Sequence, residues 1–163
     1  MNDTLIDTHI RLATSSDIEA LARNHRSMAF ETENKTLDRE TTLRGTRAVL
    51  DDPGKGFYLI AERAGQMVGQ LLVTFEWSDW RDGTFWWIQS VYVLPHARRT
   101  GVYRALHDYV LAKARRSKDI CGVRLYVDKD NGHAQATYRA MGMLPAHYDI
   151  YEVDFILGGD AKS

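Results

Sequence analysis

Arg98-Arg99-Thr100-Gly101-Val102-Tyr103-Arg104 separates two patterned segments, an apolar strand-like run from Ile88 to Leu94 and a helical pattern that continues to about Ser117. A basic, glycine-containing turn between a strand and a helix N-terminus is how a chain builds an anion site. The N–H groups of a first helical turn have no partner within the helix and carry the positive end of its dipole, so a phosphate there is stabilised twice. Gly101 lets the backbone come close to a ligand, and Arg98, Arg99 and Arg104 add charge. Taken alone the turn reads equally well as a solvated basic loop capping a helix.

A second segment, Asn131-Gly132-His133-Ala134-Gln135-Ala136-Thr137-Tyr138-Arg139-Ala140-Met141-Gly142-Met143, decides between the two. Together the segments resemble the GNAT superfamily of acyl-CoA-dependent N-acetyltransferases. Its first signature is an Arg or Gln, two residues, a Gly, one residue, then a Gly or Ala, following a strand that ends near a Pro. Pro95, Arg98 and Gly101 match it, while Tyr103 replaces the usual small residue. Its second signature is matched by Asn131, Ala134, Tyr138, Gly142 and Met143. The resemblance in element order runs from Ile10 to Phe155. It implies an α/β fold: a single domain over residues 9–157 between tails at 1–8 and 158–163, with a mixed, mostly antiparallel twisted sheet flanked by about four helices and splayed at the cofactor site.

The pattern along the chain agrees with that order. Ile10 to Ala13 alternates like a strand, and Thr14 to Asp17 offer caps ahead of the helical spacing of Ile18, Leu21, Ala22 and His25. Glu31 to Asp38 is a polar connection, with a second helix starting near Asp38 and ending at Asp52-Pro53-Gly54. Phe57 to Ala61 and Met67 to Phe75 form a hairpin through Ala64-Gly65, and Thr84 to Leu94 is a long strand after the Asp82-Gly83 turn. Val123 to Val127 is a buried strand. Asn131 caps a helix that stops at Gly142, and His147 to Phe155 alternates as a last strand.

Length and composition narrow the function. A chain of 163 residues with 44% hydrophobic content can bury a core and is not a disordered segment. With 21 basic against 22 acidic residues it has no global footprint for nucleic acid, so anion recognition is local. A lone cysteine, Cys121, forms no internal disulfide and fits a reducing compartment. Met1 to Thr8 is polar and acidic, and no stretch approaches a membrane span, so the expectation is a cytoplasmic protein without a membrane partner. The six histidines lack metal-site spacing, and no metal is expected.

The resemblance implies acetyl-CoA as co-substrate. Its pyrophosphate would lie in the turn Arg98, Arg99, Thr100, Gly101, Val102, Tyr103, Arg104, and its pantetheine amides would pair with the backbone of Val91 and Val93. Tyr103 either swings along the helix surface or offers its hydroxyl to the ligand. Tyr138 is expected to be the general acid for the departing thiolate, and Asn131 a helix cap that borders the cofactor arm. The base is open: Trp86-Trp87-Ile88-Gln89-Ser90-Val91 carries no acid where many family members have one. Gln89 and Ser90 can order a water, and Glu76, Glu31 and Glu33 are the carboxylates within reach of an acceptor, with solvated surface carboxylates as the plain alternative. Trp77, Trp80, Trp86 and Trp87 crowd one hairpin, as an aromatic wall for the acceptor or a homodimer contact. The expected reaction is direct acetyl transfer to a primary amine, on a small molecule rather than a protein; a non-catalytic acyl-CoA-binding or sensing module is the alternative.

Overall fold

Two consecutive left-handed residues, Ala64 (φ 48°) and Gly65 (φ 72°), close the hairpin at the centre of the sheet. The computed structural model describes residues 7–157. Residues 1–6 and 158–163, which contain most of the expected tails, lie outside the described residues. The described chain divides after Tyr126 into a larger unit and a smaller one beginning at Val127.

The larger unit contains β1 (His9–Leu12), a 3-10 turn at Ser15–Asp17, α1 (Ile18–Glu33), α2 (Arg39–Asp51), β2 (Phe57–Arg63), β3 (Gln66–Ser78), β4 (Gly83–Val93), a 3-10 turn at Pro95–Ala97, α3 (Val102–Arg116) and β5 (Ile120–Arg124). The strands pair in chain order, β1-β2-β3-β4-β5. The first four are antiparallel, and β5 returns parallel to β4 after α3. Among the described residues no helix is long and apolar enough to cross a membrane.

Local chemistry sets the ends of these elements. Arg11 on β1 binds Asp17 through Nη1 and Nη2 (2.8 and 2.9 Å) and Glu62 on β2 through Nε (2.8 Å). The Arg11 hydrogen bond holds the Asp17 carboxyl down at about 2, so the start of α1 is fastened to the sheet edge by a charged pair. At the other end α1 runs on to Glu33, through the first three residues of the connection expected to begin at Glu31. Asn34 ends it by taking φ 52° and donating its N–H to Phe30 O at 3.1 Å. Glu31 and Glu33 are therefore helical, in the last turn of α1, and not part of a connecting loop. α2 starts near Asp38 as expected, and Asp38 caps it, accepting from the Thr41 N–H at 2.7 Å.

Alternation along the strands gives the sheet two faces. Leu59, Leu71, Val73, Trp86 and Ile88 pack with Val102, Leu106 and Val110 of α3. On the opposite face Tyr58 and Ile60 pack with Leu21 of α1. Gln70 is fully buried there, where a polar group needs partners; Asn24 Nδ2 donates to its Oε1 at 2.8 Å.

In the smaller unit α4 (Gly132–Ala140) has the expected caps: Asn131 Oδ1 accepts the Ala134 N–H at 3.0 Å, and Gly142 takes φ 85° beyond the C-terminus. The expected strand at His147 to Phe155 is not formed; residues 147–155 have no regular structure. Alternation supplies a face but not a partner, and α4 is the one regular element described in this unit. β5 is also displaced from the expectation, ending at Arg124 rather than Val127.

Candidate active site

The sheet opens where β4 outruns its neighbour. β4 pairs with β5 only from Thr84 to Trp87, although it continues to Val93. Within the far stretch Ser90 takes φ 51°, and the register on β3 slips by one, with Leu72 opposite Gln89 but Gln70 opposite Tyr92. Ser90 and Val91 together face Leu71, which is a β-bulge. The extra residue exchanges the parity of the strand. Before it Trp86 and Ile88 face α3; after it Val91 and Val93 do. Tyr92 consequently faces α1 and reaches Glu31.

The bulge also sets backbone directions. Leu94 N–H donates to Val68 O at 2.9 Å, so the alternating antiparallel ladder turns the N–H and C=O of Val93 away from β3, on the side that β5 has left. On that side the Val93 carbonyl accepts from Arg98 Nε at 3.0 Å; an amide chain was expected to pair with the backbone of Val91 and Val93.

The turn that follows is shaped by two left-handed residues, Arg99 (φ 64°) and Gly101 (φ 86°). Thr100 between them donates its hydroxyl to Ala97 O at 2.7 Å. The first bond closing α3 is Ala105 N–H to Gly101 O at 3.0 Å. The N–H groups of Val102, Tyr103 and Arg104 thus have no acceptor inside the helix. Arg99 and Arg104 are exposed. Tyr103 lies along the helix, its ring 5.8 Å from that of His107 one turn on, the first of the two placements foreseen for it. His107 is buried, and desolvation pushes its imidazole below the usual range.

Arg98, expected as a phosphate countercharge, is engaged within the chain. Its Nε donates to Val93 O at 3.0 Å and its Nη2 to Glu31 Oε2 at 2.6 Å, and the guanidinium sits 5.5 Å from the Tyr92 ring centroid. Sequence reasoning missed this because the partner is 67 residues away. It also missed Arg63 at the end of β2, whose Nη1 and Nη2 bind the hydroxyl and carbonyl of Thr100 at 2.6 and 2.8 Å. No local motif marks that residue.

The other carboxylates do not gather around one point. Glu33 pairs with Lys35 at 2.7 Å. Glu76 on β3 accepts from Arg124 at 2.6 Å and from Trp87 Nε1 at 3.1 Å. Gln89 donates to Thr74 Oγ1. Adjacent Trp86 and Trp87 face opposite sides, as the strand demands: Trp86 packs edge-on to Phe57 at 5.1 Å, and Trp87 lies 6.0 Å from Tyr126. Trp77 and Trp80 are exposed, at 61% and 84%. Cys121 is half-buried on β5. Asn131 and Tyr138 belong to the smaller unit, Tyr138 in the last turn of α4. Among the described residues no three of His, Cys, Asp and Glu cluster as metal ligands would.

Residues 18–143 match the model of the acetyltransferase (GNAT) family. The chain is 36% identical over 151 residues to a mycothiol acetyltransferase of Thermobispora bispora; the match takes in 86% of this chain and 48% of that protein, so the chain spans about half the length of this relative. Among solved structures, a possible acetyltransferase from Clostridium difficile 630 is 40% identical with a TM-score of 0.85, covering 91% of this chain and 98% of that one. A predicted acetyltransferase with acetyl-CoA from Clostridium acetobutylicum is 19% identical with a TM-score of 0.73, covering 91% and 96%, and shares the fold.

Proposed function

The chain belongs to the acetyltransferase (GNAT) family, and from that premise we propose that it transfers the acetyl group of acetyl-CoA directly to a primary amine on a small molecule. One observation carries the reading: β4 continues past its last pairing with β5, at Trp87 and Arg124, and ends in a left-handed turn that opens a helix. An extended amide chain with a diphosphate at its end suits that succession, with backbone pairing along Val91 and Val93 and N–H donors from Thr100 to Arg104. Arg99 and Arg104 supply exposed charge beside those donors.

The acetyl-CoA thioester supplies the activated acyl group. The chain's own tasks are to hold it, admit the amine without its proton, and return a proton to the thiolate. Tyr138 is the proton donor in this reading, a phenol two helical turns from the Asn131 cap of its helix. Gln89 and Ser90 lie on β4 beyond its last pairing with β5, whereas Glu76 stands opposite Phe85, where the two strands are still paired; with Glu76 paired to Arg124, the amine's proton leaves through water ordered by Gln89 and Ser90. Glu31 and Glu33 stand at the end of α1, and Glu31 acts on the acceptor side only after Arg98 turns to phosphate. The protein works in the cytoplasm, and the exposed Trp77 and Trp80 support a homodimer contact.

Thermal unfolding with acetyl-CoA, CoA and ATP tests the reading. A ligand at ~100 times its dissociation constant adds about 2.7 kcal/mol of stability. A shift with acetyl-CoA and CoA alone is expected, followed by thiol release in a screen of small primary amines; equal shifts with ATP, or none, would refute it.

A further inference from the structure

We infer that Arg63 is a positioning residue for the phosphate turn, holding Thr100 so that the backbone N–H groups after it face the ligand. The inference rests on the reading of that turn as the diphosphate site of acetyl-CoA.

Arg63 closes β2, half-buried, next to the left-handed hairpin turn. All three kinds of nitrogen on its guanidinium are committed. Nε donates to Thr8 Oγ1 at 2.8 Å, Nη1 to Thr100 Oγ1 at 2.6 Å and Nη2 to Thr100 O at 2.8 Å. The partners lie 55 and 37 residues away in the chain. This side chain therefore joins the strand edge, the central hairpin and the turn at one point.

The bond to the Thr100 carbonyl has a directional consequence. In a trans peptide the C=O and the following N–H point oppositely. With the Thr100 oxygen fixed toward Arg63, the Gly101 N–H faces away from it. The Thr100 hydroxyl, clamped between Arg63 and Ala97 O, fixes the residue between the two left-handed positions Arg99 and Gly101. Successive left-handed and right-handed residues make a concave row of N–H groups that receives an anion. Without an external clamp such a loop has other conformations open to it. Arg is the residue type that supplies two parallel donors in a rigid fork; Lys supplies charge with one donor directed at a time.

Calorimetric titration of the full chain with CoA tests this, comparing wild type, Arg63→Ala, Arg63→Lys, Thr100→Val and the Arg63→Ala/Thr100→Val double variant, with unfolding midpoints alongside. Arg63→Ala is expected to weaken CoA by about tenfold, the scale of a lost charge-assisted hydrogen bond. Arg63→Lys should recover part of the loss, and the double variant should bind no more weakly than Arg63→Ala, because both changes remove one device. Wild-type affinity in Arg63→Ala, no recovery in Arg63→Lys, or full additivity in the double variant would each overturn the inference while leaving the turn as the binding site. Should Arg63→Ala not fold, Thr100→Val and Arg63→Lys decide it, each expected weaker than wild type. Absence of CoA binding by wild type would instead remove the reading of the turn, and this inference with it.

Discussion

Glu31 Oε2 and Arg98 Nη2 stand 2.6 Å apart and tie the last turn of α1 to the first residue of the basic turn. The Tyr92 hydroxyl donates to the other carboxylate oxygen at 2.7 Å, and these two donors hold the Glu31 carboxyl below its usual range. Both side chains of the ion pair are more than a third exposed, so its own stabilising effect is small. Its effect on ligand charge is another matter, since it occupies an arginine that a phosphate would otherwise attract.

Glu31→Gln is therefore expected to tighten CoA binding, by up to about fivefold at low ionic strength given the size of exposed ion pairs, with the gain fading at high salt. Titrations at two salt concentrations check it. Unchanged or weaker binding would mean that Arg98 does not turn toward the cofactor.

Tyr138→Phe removes one oxygen from α4 and leaves the Asn131 cap in place. Loss of a general acid lowers turnover by about 10²- to 10⁴-fold, while CoA affinity should stay within about twofold of wild type on the same reasoning. Steady-state rates together with CoA titration separate the two, and turnover at the wild-type level would dismiss Tyr138 as the proton donor.

His25 carries a pH dependence. It is buried on α1, bonded to the Tyr58 hydroxyl at 3.0 Å, and desolvation lowers its imidazole from 6.5 to about 4. Between those values the unfolded chain binds a proton that the folded one refuses, so stability is full above about 6.5 and is lost as the pH falls toward 4. The loss is on the order of 3 kcal/mol. His107 is shifted in the same direction and adds to it. Urea unfolding between pH 4 and 7 should show the slope, and His25→Gln should flatten part of it; an equal slope in the variant would assign the effect to other groups.

Gly69 sets how closely α3 approaches the sheet. A Cβ there would lie 2.8 Å from Val102 Cγ1, at the first residue of the helix. Gly69→Ala is expected to cost about 1–3 kcal/mol as an overpacked core site and to weaken CoA binding by moving the helix N-terminus. Adding Val102→Ala, which makes room, should restore part of the affinity. Urea midpoints and CoA titration of the single and double variants check it, and wild-type affinity in Gly69→Ala would separate helix position from binding.

The elements legible in the sequence are those written in neighbouring residues. Ala64-Gly65, Asp38, Asn131 and Gly142 announce a turn, two caps and a stop, and all four act in those roles. The turn from Arg98 to Arg104 likewise joins strand to helix at its expected place. What escaped depends on distant partners. Glu31 reads as a solvated carboxylate until Arg98 and Tyr92 are brought to it, and Arg63 has no pattern around it at all. His147 to Phe155 shows the converse, a strand pattern without a strand, because alternation records which side of a ribbon is greasy but not what lies beside it.

Ser90 acts on the long strand as a frameshift acts on a message. Up to Gln89 every second residue reads toward α3 in one frame, and from Val91 onward in the other. Were Ser90 counted by the ladder, unbroken alternation would send Val91 and Val93 to the α1 side and take Tyr92 away from Glu31. The two valines and the tyrosine that anchors the neighbouring helix are thus spelled correctly only because the one residue just before them is uncounted by the ladder.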